Sequence, residues 1–169
     1  MNRPQPNDYP IWAAAYIDKV DQDIFEILEE QVFNLPALFE RNKDKENYAY
    51  AENKWTLKEM LGHIIDCERI FAYRITSFAR NEQQHLPGFD EDDYVSNARF
   101  SERNYEDMIE EFAALRKANL YLYRSLNDDE LHRAGTASGR AINVKSILFV
   151  AAGHIIHHFG ILKERYNVV

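Results

Sequence analysis

Apolar residues recur along most of the chain at steps of three and four, the spacing that lines one face of an α-helix. Between 21 and 41 the stripe is Ile24, Leu28, Val32, Leu35 and Phe39, with Asp21 as the expected N-cap. Pro36 lies inside this pattern and predicts a kink or a split, because its ring removes a helical hydrogen bond and crowds the preceding turn. A polar connection from 42 to 54 ends at Trp55. Thr56-Leu57-Lys58-Glu59 has the form of a capping box and predicts a second helix running to about Arg80. Its stripe is Leu57, Leu61, Ile64, Glu68, Phe71, Ile75 and Phe78, and one member, Glu68, is charged.

The acidic segment 82–100 predicts a long loop, after which Ser101 can cap a third helix over about 103–126. That helix carries Tyr105, Met108, Phe112, Leu115, Asn119, Tyr123 and Leu126 on one face. A turn region, 127–139, precedes a fourth helix capped by Asn143 and ending near Arg165. Four amphipathic helices of about twenty residues predict an all-α four-helix bundle. The expected organisation is a single domain over 1–169 with 1–18 as an N-terminal arm. The connections are long enough that up-down order is not forced.

Composition narrows the function classes. Six glycines and five prolines in 169 residues argue against a turn-rich all-β fold. Acids number 28 and bases 20, a net charge of -8, which suits neither a phosphate backbone nor an anionic membrane surface. No secretory apolar region or run of about 18 apolar residues occurs, so a cytoplasmic protein is expected. The lone cysteine, Cys67, excludes an internal disulfide framework and any Cys-based zinc ribbon.

The candidate chemistry lies on the fourth helix, in His154-Ile155-Ile156-His157-His158. His154 and His158 are one turn apart on the apolar face formed with Ile147, Val150, Ala151 and Ile161. Two imidazoles at that spacing can share a metal ion, or can be core histidines bonded to nearby partners. His157 points to the edge of the stripe, as a packing or ligand-orienting residue. His63, on the flank of the second helix, can supply a third ligand. Three histidines leave open coordination positions, the arrangement of a catalytic rather than a closed metal site.

Glu68 either orients a metal-bound imidazole or pairs with Arg116 or Arg165. Cys67, one turn after His63, is a ligand, a nucleophile or a small buried apolar residue, the last being the usual state of a free cysteine. The run Asp90 to Asp93 lacks calcium-loop spacing and reads as a solvated loop. His85 and His132 fall in polar segments and receive no role. Metalloprotease, nucleophile-elbow, phosphate-loop and dinucleotide motifs are absent, as are the paired Glu-x-x-His motifs of di-iron bundles.

Lys54-Trp55-Thr56-Leu57-Lys58-Glu59, Gly62-His63 and Asp66-Cys67-Glu68-Arg69 resemble the second helix of the DinB-like superfamily, which includes YfiT-type metal-dependent hydrolases. Leu86-Pro87-Gly88-Phe89-Asp90, Thr136-Ala137-Ser138-Gly139, Gly153 to His158 and Leu162 to Tyr166 resemble its later segments, in order. The resemblance implies a four-helix bundle with a divalent metal, zinc or nickel being expected, held by His63, His154 and His158. It implies a metal-dependent enzyme acting on a small molecule, either a thiol S-transferase with a low-molecular-weight thiol as cosubstrate or a hydrolase. It also implies a homodimer, for which Gly153 and Gly160 could allow close helix approach. Cys67 departs from the small hydroxyl or aliphatic residue expected there. No catalytic acid or base is named; Glu68, Tyr73 and His157 are candidates. Two other readings stay open: a non-catalytic metal-binding module working through dimer or partner contacts, and a haem protein with two axial histidines.

Overall fold

Side-chain caps fix where the helices begin in the computed structural model, which describes residues 1–168. A short helix α1 (Ala14–Ile17) precedes α2 (Ile24–Arg41), α3 (Leu57–Ala79), α4 (Glu91–Asn97), α5 (Tyr105–Ser125) and α6 (Asp128–His132). The hairpin β1 (Ala134–Ala137) and β2 (Arg140–Asn143) then leads into α7 (Val144–Arg165). The capping box of α3 is formed: the Thr56 N–H donates to Glu59 Oε2 at 2.7 Å, and the Glu59 N–H donates to Thr56 Oγ1 at 3.1 Å. Asn143 caps α7 by accepting from the Ser146 N–H at 2.8 Å.

Four local expectations are corrected. Asp23, not Asp21, caps α2, accepting from the Phe25 N–H. Asn104, not Ser101, caps α5, because Phe100–Glu102 forms a 3-10 turn before it. Pro36 does not split α2, whose buried Leu35, Leu38 and Phe39 hold the chain on both sides of the lost hydrogen bond. Segment 82–100 is not all loop. Asp90 caps α4 by accepting from the Asp93 N–H, and Glu91, Asp92 and Asp93 occupy its first turn, where acids complement the exposed N–H groups.

Where the sequence predicts only a turn region over 127–139, the structure has a hairpin over 134–143. Its turn places Ser138 (φ 51°) and Gly139 (φ 72°) in left-handed geometry, the requirement of a tight two-residue turn. Leu86 joins its edge, the Leu86 N–H donating to Thr136 O and the Ser138 N–H donating to Leu86 O.

The four long helices close into a ring in which α2 packs on α5 and α7, and α3 packs on α5 and α7. Among the long helices α2 therefore lies diagonally from α3, and α5 from α7, and the connections between those pairs cross the bundle ends. Helix α7 is buried on almost every side from Val144 to Ile155, with α1 on its outer face. Its 18-residue window of mean hydropathy 1.4 would suit a membrane span by length and composition, yet 67% of that window is covered by the rest of the fold. A Cβ at Gly153 would lie 2.1 Å from the Tyr16 carbonyl oxygen, so this glycine admits α1 against α7 within the chain.

The apolar core falls into two clusters. Each long helix passes from one to the other near its middle: α2 between Val32 and Leu35, α3 between Ile65 and Cys67, α5 between Phe112 and Leu120, α7 between Ala152 and Ile155. A buried polar layer occupies that boundary.

Candidate metal centre

Burial draws His63 from α3 together with His154 and His158 from α7, each about 6% exposed. Their Nε2 atoms form a triangle with edges of 3.2 Å (His63 to His154), 3.2 Å (His63 to His158) and 2.9 Å (His154 to His158). Each neutral imidazole offers one N–H and one lone pair. Three Nε2 atoms facing one point cannot satisfy one another, because one shared proton still leaves lone pairs opposed. A cation at that point satisfies all three. The edges match those of three corners of a tetrahedral or octahedral site, about 2.9–3.4 Å for metal–nitrogen bonds of about 2.0–2.1 Å. The residues fit a divalent metal. Nitrogens this close leave no room for a macrocycle between any two of them, which removes the haem reading.

The surroundings favour the ligand form. Burial lowers the pKa of His63 to about 4 and of His158 to about 2, and holds His154 well below its ordinary value. The rings stay neutral with lone pairs available. The Trp55 ring lies 4.8 Å from the His63 ring, centroid to centroid. Its backbone is anchored by the Tyr166 hydroxyl, which donates to Trp55 O at 2.6 Å. Phe71 and Tyr16 pack their rings on His154. His158 Nδ1 is buried without a partner among the described residues.

The remaining candidates separate cleanly. His157 is half-buried outside the triangle, its ring edge-on to Tyr16 and His158. Cys67 Sγ sits 3.7 Å from His63 Nε2, and burial pushes its thiol pKa up, which favours the small apolar reading over a thiolate nucleophile. Glu68 accepts from Arg116 Nε at 3.0 Å, Arg116 Nη2 at 2.7 Å and Asn119 Nδ2 at 2.7 Å. It is a buried ion-pair partner and bonds none of the histidines; Arg165 is exposed. Tyr73 is 59% exposed and borders neither cleft described below. His85 and His132 are exposed and away from the triangle, and His132 Nδ1 contacts Asp128 O.

Two clefts reach the triangle, one at His158 and one at His154. One, about 260 Å³, is bordered by His158, Trp55, Met60, Lys54, Asp92 and Tyr166. The other, about 200 Å³, is bordered by His154, Cys67, Phe71, Tyr16, Trp12 and Arg74. The sequence reading missed Trp55, Tyr16 and Arg74. Only Arg74 left a trace in the pattern, as a charge at helical spacing from His63, Cys67 and Phe71.

A model described as the DinB superfamily matches residues 27–162. The structure of YfiT from Bacillus subtilis, described as a probable metal-dependent hydrolase with an unusual four-helix bundle topology, is similar to this chain with a TM-score of 0.70 at 17% identity. The match covers 85% of this chain and 84% of that one. No curated protein matches the sequence.

Proposed function

The chain belongs to the DinB superfamily, and from that premise we propose a metal-dependent enzyme acting on a small molecule, by thiol S-transfer or by hydrolysis. The observation that carries this reading is the convergence of three buried Nε2 atoms on one point, where among the described residues the one other donor in reach is the Cys67 thiol, 3.7 Å from His63 Nε2. A divalent ion held there, zinc or nickel in this reading although imidazole ligands also suit copper and iron, would supply Lewis acidity that lowers the pKa of a thiol or water. The chain's own part is to keep three imidazoles neutral and to open two clefts onto them. Two clefts at one centre suit a reaction with two partners, which favours transfer of a low-molecular-weight thiol over simple hydrolysis. The description of YfiT as a probable hydrolase supports the other branch.

The test is metal content and turnover together. His63→Ala, His154→Ala and His158→Ala are expected to lose bound metal, and His157→Ala to keep it. Metal-loaded protein, chelated protein and His158→Ala are then compared with a panel of small thiols and a chromogenic electrophile, and with esters and amides. Equal rates in all three would end the enzymatic reading and leave a metal-binding module. The proposal includes a homodimer in the cytoplasm; Gly160, with open space where a Cβ would project, is the free glycine of the expected pair. Light scattering at the 19.9 kDa monomer mass would remove the dimer.

A further inference from the structure

The second cleft follows one face of α3. Cys67, Phe71 and Arg74 are spaced four and three residues apart, so they line up along the helix, and His63 lies one turn before them. The helix rise puts Arg74 about 10 Å beyond Cys67. One end of the cleft is therefore His154 and Cys67, beside the histidine triangle; the other end is Arg74. Between them stand Trp12, Tyr16, Phe71 and Phe89.

Arg74 is 7% exposed, yet among the described residues no carboxylate lies within ion-pair distance of it. Its Nη2 donates to Pro87 O at 3.1 Å and to Ser138 Oγ at 3.0 Å, and its guanidinium lies 5.9 Å from the Phe89 ring centroid. Nε and Nη1 have no hydrogen-bond partner among the described residues. Arg116, also buried, shows the contrast: a carboxylate takes two of its donors. A buried guanidinium with free Nε–H and Nη1–H donors on a cleft offers a carboxylate charge-assisted hydrogen bonds beside the occupied Nη2. The hairpin and the Leu86–Pro87 segment hold it there through Ser138 and Pro87. Glu91, exposed on the cleft rim, raises the pKa of Tyr16 and of Cys67.

We propose that this cleft binds an aryl or acyl carboxylate lengthwise, its carboxylate on Arg74, its apolar body among the aromatic rings and its far end beside the histidine triangle. The inference rests on the reading of the triangle as the reacting centre and names the tail of the substrate. The experiment measures binding of benzoate, 3-phenylpropanoate and 5-phenylpentanoate, and of their primary amides, by calorimetry on cobalt-loaded protein. Cobalt absorption reports the triangle separately. The acids are expected to bind at least tenfold more tightly than the amides, with the longest acid best. Arg74→Gln should abolish that preference, Arg74→Lys should keep part of it, and Ser138→Ala should keep most of it. Equal binding of acid and amide by the unmodified protein, binding of neither, or an unchanged preference in Arg74→Gln would overturn the proposal. If Arg74→Gln fails to fold, the acid-to-amide ratio of the unmodified protein and its fall in Arg74→Lys decide. Failure of cobalt to bind, with Arg74-dependent carboxylate binding intact, would instead sink the metal reading alone.

Discussion

Two polar clusters share the middle layer of the bundle, and they are built on opposite terms. Around Arg116 the charged groups find partners, and only the nearby Tyr123 hydroxyl is buried without one among the described residues. Glu68 takes two of the Arg116 donors, the Gln31 side-chain Oε1 takes a third at 2.6 Å, and Gln31 Nε2 in turn donates to Ala152 O at 2.9 Å. That network joins α2, α3, α5 and α7. At the histidine triangle, a turn away on α3 and α7, three acceptor-capable nitrogens meet and the protein provides no cation. A buried polar group without a partner costs free energy, so a cluster that completes itself serves the fold, and one left open by its own chain is shaped for something else. The same contrast separates Arg116 from Arg74.

The largest expected effect comes from breaking the closed cluster. Arg116→Met strands the Glu68 carboxylate in the core and should destabilise the protein by about 3–5 kcal/mol in chemical denaturation. The double variant Glu68→Leu/Arg116→Met should recover much of that loss. If the single and double variants lose equally, the pair matters through packing and not charge.

The open cluster should respond to metal instead. At a free metal concentration of one hundred times the dissociation constant, the loaded protein should exceed the chelated one by about 2.7 kcal/mol. Replacing all three histidines by leucine should abolish that increment and leave the chelated fold no less stable. A triple variant much weaker than the chelated protein would mean that the imidazoles serve the fold as Arg116 does.

A third measurement sharpens the comparison through pH. In the unfolded chain a histidine titrates near 6.5, whereas burial lowers His63 to about 4 and His158 to about 2 in the folded one. The unfolded state therefore binds more protons between these values, and the chelated protein should lose stability as pH falls from about 6.5 toward 4. The loss should shrink in the triple-leucine variant. Melting curves at pH 7.5 and 5.5 for both proteins check the sign.

The smallest effect concerns Cys67. Cys67→Ala should cost about 1 kcal/mol of stability and leave metal content unchanged. Cobalt-loaded protein should show no thiolate-to-metal charge-transfer band. Such a band, lost in Cys67→Ala, would add the thiol to the ligand set.

Periodicity alone determined the four long helices, because burying one face of a helix imposes a spacing of three and four that survives in the chain. It also reached the three histidines, since two of them are fixed by helical spacing and the third falls on the flank of another apolar stripe. Local signals were enough where the energetics are local: Thr56, Glu59 and Asn143 cap what they were expected to cap. The tertiary structure decided what depends on contacts between distant segments. It buried Arg116 and left Leu115 only half-buried on α5, a choice made by the carboxylate of Glu68 rather than by hydrophobicity. It set α2 and α3 on a diagonal, used Gly153 to admit Tyr16, and folded 134–143 into a hairpin whose strands are too short to show a pattern. That hairpin, through Ser138, helps hold the free Nε–H and Nη1–H donors of Arg74 on the second cleft. A guanidinium's partner, or lack of one, is a fact about neighbours in space, and no spacing along a single helix contains it.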